Sequence, residues 1–205
     1  LGNSYRLLPT DLPGFGSKPA LATTTLSALA DFVFGRAQSF GARFIMAHSV
    51  ASIIATMVAE RSEGFIKKIY SLEGNLTAAD AYFSGTAAQY DDADEFKSSF
   101  LARLAKMPQW AEQNLQRYSS AVQASDTLAL WQLGCDAFRF SQENHPGERL
   151  QAAVQCHYIC NPANCPPQTL NWLAQSAMSR TVINDASHWA PIERPQAVAR
   201  AVLNS

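Results

Sequence analysis

At 205 residues the chain is long enough for one compact domain with a real core, and its 47% apolar and 16% charged residues suit a soluble protein of enzyme size. A formal net charge of -1 removes any electrostatic reason to expect nucleic acid or an anionic membrane surface as partner. No stretch is apolar for long enough to span a membrane, and no secretory signal is visible.

Tyr5-Arg6-Leu7-Leu8 reads as a strand, followed by the turn-rich loop Pro9 to Ser17. Thr24 or Thr25 caps a helix through Leu26, Leu29, Phe32 and Val33 toward Phe40, and Gly41 ends it. Ala42 to His48 is the next strand, Ser49 to about Glu60 a helix, and Phe65 to Leu72 another strand. This alternation predicts an α/β fold with a mostly parallel sheet flanked by helices. After Glu73-Gly74-Asn75 it stops, and residues 76–150 carry helical stripes such as Phe96, Phe100, Leu101 and Leu104. They read as a helical insertion, with the acidic run Asp91 to Glu95 as a solvated loop or a helix start. Val154 to Cys160 returns to the sheet, Thr169 to Ala177 is a helix, Arg180 to Ile183 a short strand and Pro195 to Leu203 a closing helix.

Within this frame Ala47-His48-Ser49-Val50-Ala51 stands where a buried strand turns into a helix. A serine there can present its hydroxyl above the sheet, provided the residues two before and two after are small. Ala37-Gln38-Ser39-Phe40-Gly41 has the same spacing, but it ends a helix before a strand. A hydroxyl needs a base, usually an imidazole oriented by a carboxylate. Of the four histidines, His48 adjoins the serine and is expected to point to the opposite side of the strand end, His145 lies in a polar loop and His157 lies mid-strand. His188, on the loop after the last strand, falls at the same sheet edge as Ser49 because parallel strands all end on one side. Cys135, Cys156, Cys160 and Cys165 lack zinc-site spacing and read as free thiols of a reducing, cytoplasmic compartment. No metal or cofactor is expected.

Three segments together resemble the α/β-hydrolase fold superfamily. Asp11-Leu12-Pro13-Gly14-Phe15-Gly16-Ser17 is similar to its loop after the fourth strand, Ala47 to Ala51 to its nucleophile elbow, and Ala186-Ser187-His188-Trp189-Ala190-Pro191 with Glu193 and Pro195 to its histidine loop. The resemblance covers nearly the whole chain. It implies a core of residues 1–75 and 151–205, a helical cap at 76–150, and first strands that would precede Leu1. The elbow has alanines where the family usually has glycines, and the loop after the strand that follows the cap, Asn161 to Pro167, holds no carboxylate where the family usually has its acid. Some members carry the acid after the strand before the cap, where Glu73 stands; Asp185 and Asp80 are the weaker alternatives.

The resemblance thus implies a serine hydrolase for a carboxylic ester or related acyl bond. Ser49 is its nucleophile, His188 its base, Glu73 its acid and the Val50 amide its oxyanion donor. Phe83 and Trp110 in the cap, with Trp189 beside the histidine, could line a pocket for a small, hydrophobic, ester-like substrate. Carbon-carbon hydrolysis or lyase chemistry uses the same triad, and a non-catalytic binding or signalling protein could keep the fold. The sequence does not specify the oligomeric state.

Overall fold

The computed structural model describes residues 5–107 and 112–205. Its sheet consists of β1 (Phe44–His48), β2 (Lys68–Leu72), β3 (Gln155–Cys160) and β4 (Ser179–Val182), all parallel and in that spatial order. Every residue of β2 is buried, as expected for a parallel strand covered on both faces. At the edges the cover thins, leaving Phe44 and Met46 on β1 and Val182 on β4 exposed.

Helix α1 (Leu26–Phe40) begins where the Thr25 hydroxyl accepts from the Ala28 N–H, and it ends at Gly41 with φ 65°. It packs on α2 (Ala51–Arg61), whose Ile53, Ile54, Ala55, Val58 and Ala59 are buried. Between β2 and β3 run two short 3-10 turns and then α3 (Ala93–Leu104), α4 (Glu112–Ala124), α5 (Thr127–Glu143) and α6 (Pro146–Ala153). Asp92 caps α3 by accepting from the Glu95 N–H at 2.8 Å, so the acidic run is a helix start. Phe96, Phe100, Leu104, Val122 and Leu130 form a second core inside this insertion, whereas Phe140 of α5 and Leu150 of α6 join the core beneath the sheet. Asp80, at the insertion's start, accepts from the Thr169 hydroxyl at 2.8 Å and so ties it to α7 (Pro167–Gln175). The chain closes with α8 (Ala190–Glu193) and α9 (Pro195–Leu203).

The strand expected at Tyr5 to Leu8 does not form; these residues have no regular structure. Among the described residues β1 pairs only with β2, and Tyr5 meets β1 through its side chain rather than its backbone, with its ring edge-on to Phe44 at 5.9 Å. The second strand starts at Lys68 rather than Phe65, because a turn in which the Phe65 N–H donates to the Ser62 carbonyl occupies the apolar lead-in.

Candidate active site

Ser49 follows β1 with φ 57°, in the left-handed region that non-glycine residues rarely occupy. Its N–H donates to the Leu72 carbonyl at 2.9 Å, adding one rung beyond the β1–β2 ladder, and its carbonyl accepts from Ser52 to start the helical turn. The neighbouring Ala47 is buried, and Ala51 opens α2, so small side chains flank the bend on both sides. Such a conformation costs on the order of 1–3 kcal/mol and persists only when the surroundings enforce it. Val50 is the N-cap of α2, and among the described residues its N–H has no acceptor. It can therefore donate to a developing negative charge, aided by the helix dipole.

Glu73 leaves β2 in the same manner, with φ 42° and its N–H donating to the Ile159 carbonyl at 3.0 Å. The next residue must be glycine, since a Cβ on Gly74 would collide with the hydroxyls of Ser52 and Ser71. Glu73 Oε2 lies 2.8 Å from His188 Nδ1, with the two side chains only 7% and 16% exposed. A carboxylate at that distance keeps a proton on Nδ1, leaving Nε2 with its lone pair. The second oxygen, Oε1, accepts from the Asn161 N–H at 3.0 Å and from Asn164 Nδ2 at 2.9 Å.

The two asparagines also hold the histidine loop. Asn161 Nδ2 and Asn164 Nδ2 both donate to the Ala186 carbonyl, at 2.8 and 3.1 Å. On the far side of the loop Glu193 accepts from the N–H and the hydroxyl of Ser187, each at 2.7 Å, and from Asn114 of α4. The loop after β3 therefore supplies donors that fix a carboxylate arriving from the neighbouring strand. These roles escaped the sequence reading, although two amides in a loop that lacked an acid were a usable signal.

His48 is not turned away from the site. Its ring lies 4.4 Å from that of His188 and 5.4 Å from that of Trp189, and its Nε2–H donates to the His188 carbonyl at 2.8 Å. Strand alternation fails as a guide here because the left-handed Ser49 breaks it. Burial, and then the charge of His188, hold its pKa down to about 3, so His48 stays neutral across the physiological range. Mid-strand His157 bonds Ser179 and Thr181, at 2.8 Å each, away from this cluster. Asp185 has φ 58° at the bend of the histidine loop, and Asp80 serves the start of the insertion.

Trp189 packs edge-on to His188 at 5.7 Å and against Tyr118 of α4 at 4.9 Å. Phe83 lies in the insertion's aromatic core, 4.9 Å from Phe100 and beneath the Arg103 guanidinium, and it approaches Trp189 through Tyr118. Trp110 lies outside the described residues. Among the described residues all four cysteines are free thiols, no cluster of His, Cys, Asp or Glu could hold a metal ion, and no helix is long and apolar enough to cross a membrane.

The sequence profile described as the alpha/beta hydrolase family matches residues 1–201. No curated protein matches the sequence. Among solved structures, a thermophilic esterase from Thermogutta terrifontis is 14% identical, with 95% of this chain and 76% of that one covered and a TM-score of 0.69. A hydrolase from Pseudomonas aeruginosa PA01 is 21% identical, with 95% and 77% covered and a TM-score of 0.66. MenH from S. aureus is 11% identical, with 95% and 80% covered and a TM-score of 0.71. At these identities the likeness is one of fold.

Proposed function

The chain belongs to the alpha/beta hydrolase family of enzymes, and from that membership we propose that it is a serine hydrolase cleaving a carboxylic ester or a related acyl bond. Ser49 Oγ attacks the carbonyl carbon while His188 Nε2 takes its proton, and Glu73 Oε2 stabilises the imidazolium through Nδ1. The oxyanion receives the Val50 N–H at the head of α2. His188 then gives the proton to the leaving alcohol, and water, deprotonated by the same nitrogen, releases the acid from the acyl-enzyme. The helices between β2 and β3 act as a cap, and Trp189, edge-on to His188, offers an apolar face beside the reacting atoms that favours a hydrophobic substrate. The 2.8 Å contact of Glu73 with His188 carries this reading, because it orients an imidazole at the sheet edge where Ser49 stands in a strained bend. The esterase among the solved structures agrees with ester chemistry.

A fluorophosphonate probe tests the reading. Ser49 is expected to be labelled covalently, with the label abolished in Ser49→Ala and slowed by orders of magnitude in His188→Ala. An unlabelled Ser49 in the folded protein would refute it.

A further inference from the structure

His48 precedes the nucleophile and takes no proton in the proposed reaction, yet it makes two distinct contacts with the base. One is the hydrogen bond from Nε2 to the His188 main-chain carbonyl at 2.8 Å, and the other is the ring contact at 4.4 Å with the planes tilted by 38°. A carbonyl only accepts, so the bond requires a proton on Nε2, and a single proton leaves His48 Nδ1 bare and the ring neutral. The nucleophile and the main chain of the base are thereby linked across two structural elements. Ser49 is bonded to β1 at its own N–H side by peptide connection to His48, and the His48 side chain fixes the carbonyl of the residue that must reach Ser49 Oγ.

The contacts on the other side of His188 do not duplicate this link. Glu73 grips the ring at Nδ1, while Asn161 and Asn164 hold the loop at Ala186 and Glu193 holds it at Ser187. Ring and upstream loop are thus fixed by the β2 and β3 ends and by α8, and the carbonyl of His188 by the β1 end. A neutral imidazole also presents a π face to a neighbour that becomes an imidazolium during turnover, whereas a charged side chain at position 48 would oppose that charge.

We infer that His48 is a positioning residue: as a neutral Nε2–H donor stacked on the base, it ties the main chain of His188 to the strand that carries Ser49. The inference rests on the proposed serine-hydrolase reading. It implies that replacing the donor affects the chemical step, which needs sub-ångström alignment, more than the binding of substrate.

His48→Phe keeps a ring but removes the donor, and His48→Gln restores an N–H close to the position of Nε2. With p-nitrophenyl butyrate, His48→Phe is expected to lower kcat about tenfold, with KM changed less than about twofold, and His48→Gln to recover most of the loss. Melting temperatures establish that both variants are folded. The inference is overturned if folded His48→Phe keeps kcat within about twofold of the parent, if the loss falls equally on KM, or if His48→Gln is no better than His48→Phe. Long-range 1H–15N spectra of the parent give a readout independent of turnover. A neutral His48 ring protonated at Nε2 at pH 6 is expected, and a ring protonated at Nδ1, or at both nitrogens, overturns the geometry. Should Ser49 resist the fluorophosphonate probe while the spectra show the Nε2–H ring, the hydrolase reading fails, and the catalytic role of His48 falls with it.

Discussion

The two halves of the candidate site are held in different ways. At the serine elbow the backbone does most of the work, through φ 57° at Ser49, a rung to Leu72 and small residues on either side. At the histidine loop side chains do it: Glu73 holds His188 Nδ1, Asn161 and Asn164 share the Ala186 carbonyl, Glu193 holds Ser187 and His48 holds the His188 carbonyl. A bend fixed by local sterics needs only nearby residues of the right size. A loop fixed by hydrogen bonds draws its partners from all over the chain, so it can be adjusted one contact at a time.

Substitutions on the two sides should therefore fail differently. The largest effect is expected from Glu73→Gln, because an amide can donate to Nδ1 and shift the His188 proton to Nε2, disabling the base. Ester hydrolysis should fall by about 10³–10⁴ in kcat, with folding retained. A variant with near-parent kcat would remove Glu73 from the triad. On the elbow side, Ala47→Leu should act through stability, since extra carbons in a close-packed site cost about 1–3 kcal/mol. Thermal unfolding should drop by several degrees, roughly 2–4 °C per kcal/mol at this chain length. If the melting temperature is unchanged, the elbow is less crowded than its burial indicates. The smallest effect is expected from Asn164→Ala, which removes one donor shared by Glu73 and the Ala186 carbonyl while Asn161 retains its own. A loss of about tenfold in kcat and little change in melting temperature are expected, as for one hydrogen bond to a charged group. A loss as large as that of Glu73→Gln would mean that the clamp is not redundant.

The same contrast explains what the sequence made legible. The strand, helix, strand alternation and the small residues around Ser49 are short-range patterns, and they led to the parallel sheet and the bend. Thr25, Gly41 and Asp92 mark helix ends by local hydrogen bonding, which a sequence displays directly. Glu73 is indicated only by the family resemblance, some of whose members carry the acid after the strand before the cap, and by no local pattern of its own. His48 departs from the direction that strand alternation predicts, because it stands at the bend where the alternation ends. Nothing near Asn114 signals a bond to Glu193, since 79 residues separate them and only the packing of α4 brings them together. The expected strand at Tyr5 to Leu8 does not form for a related reason: a strand exists only where its backbone is paired, and a local pattern does not display that pairing.

Ser49 and Glu73 each extend the sheet by one backbone bond, Ser49 to Leu72 and Glu73 to Ile159. Their spacing is thus set by the registry in which β1, β2 and β3 zip together, with His48 opposite Leu72 and Leu72 opposite Ile159. A slip of one residue between β1 and β2 would move Ser49 by about 3.3 Å relative to Glu73 and turn alternate side chains to the wrong face. Such a misthreaded molecule could retain its helices and much of its compactness and still be inert. Catalytic competence in this chain is therefore a proofreader of its own folding, able to distinguish correctly threaded molecules from near-native ones that spectroscopy of secondary structure would count together.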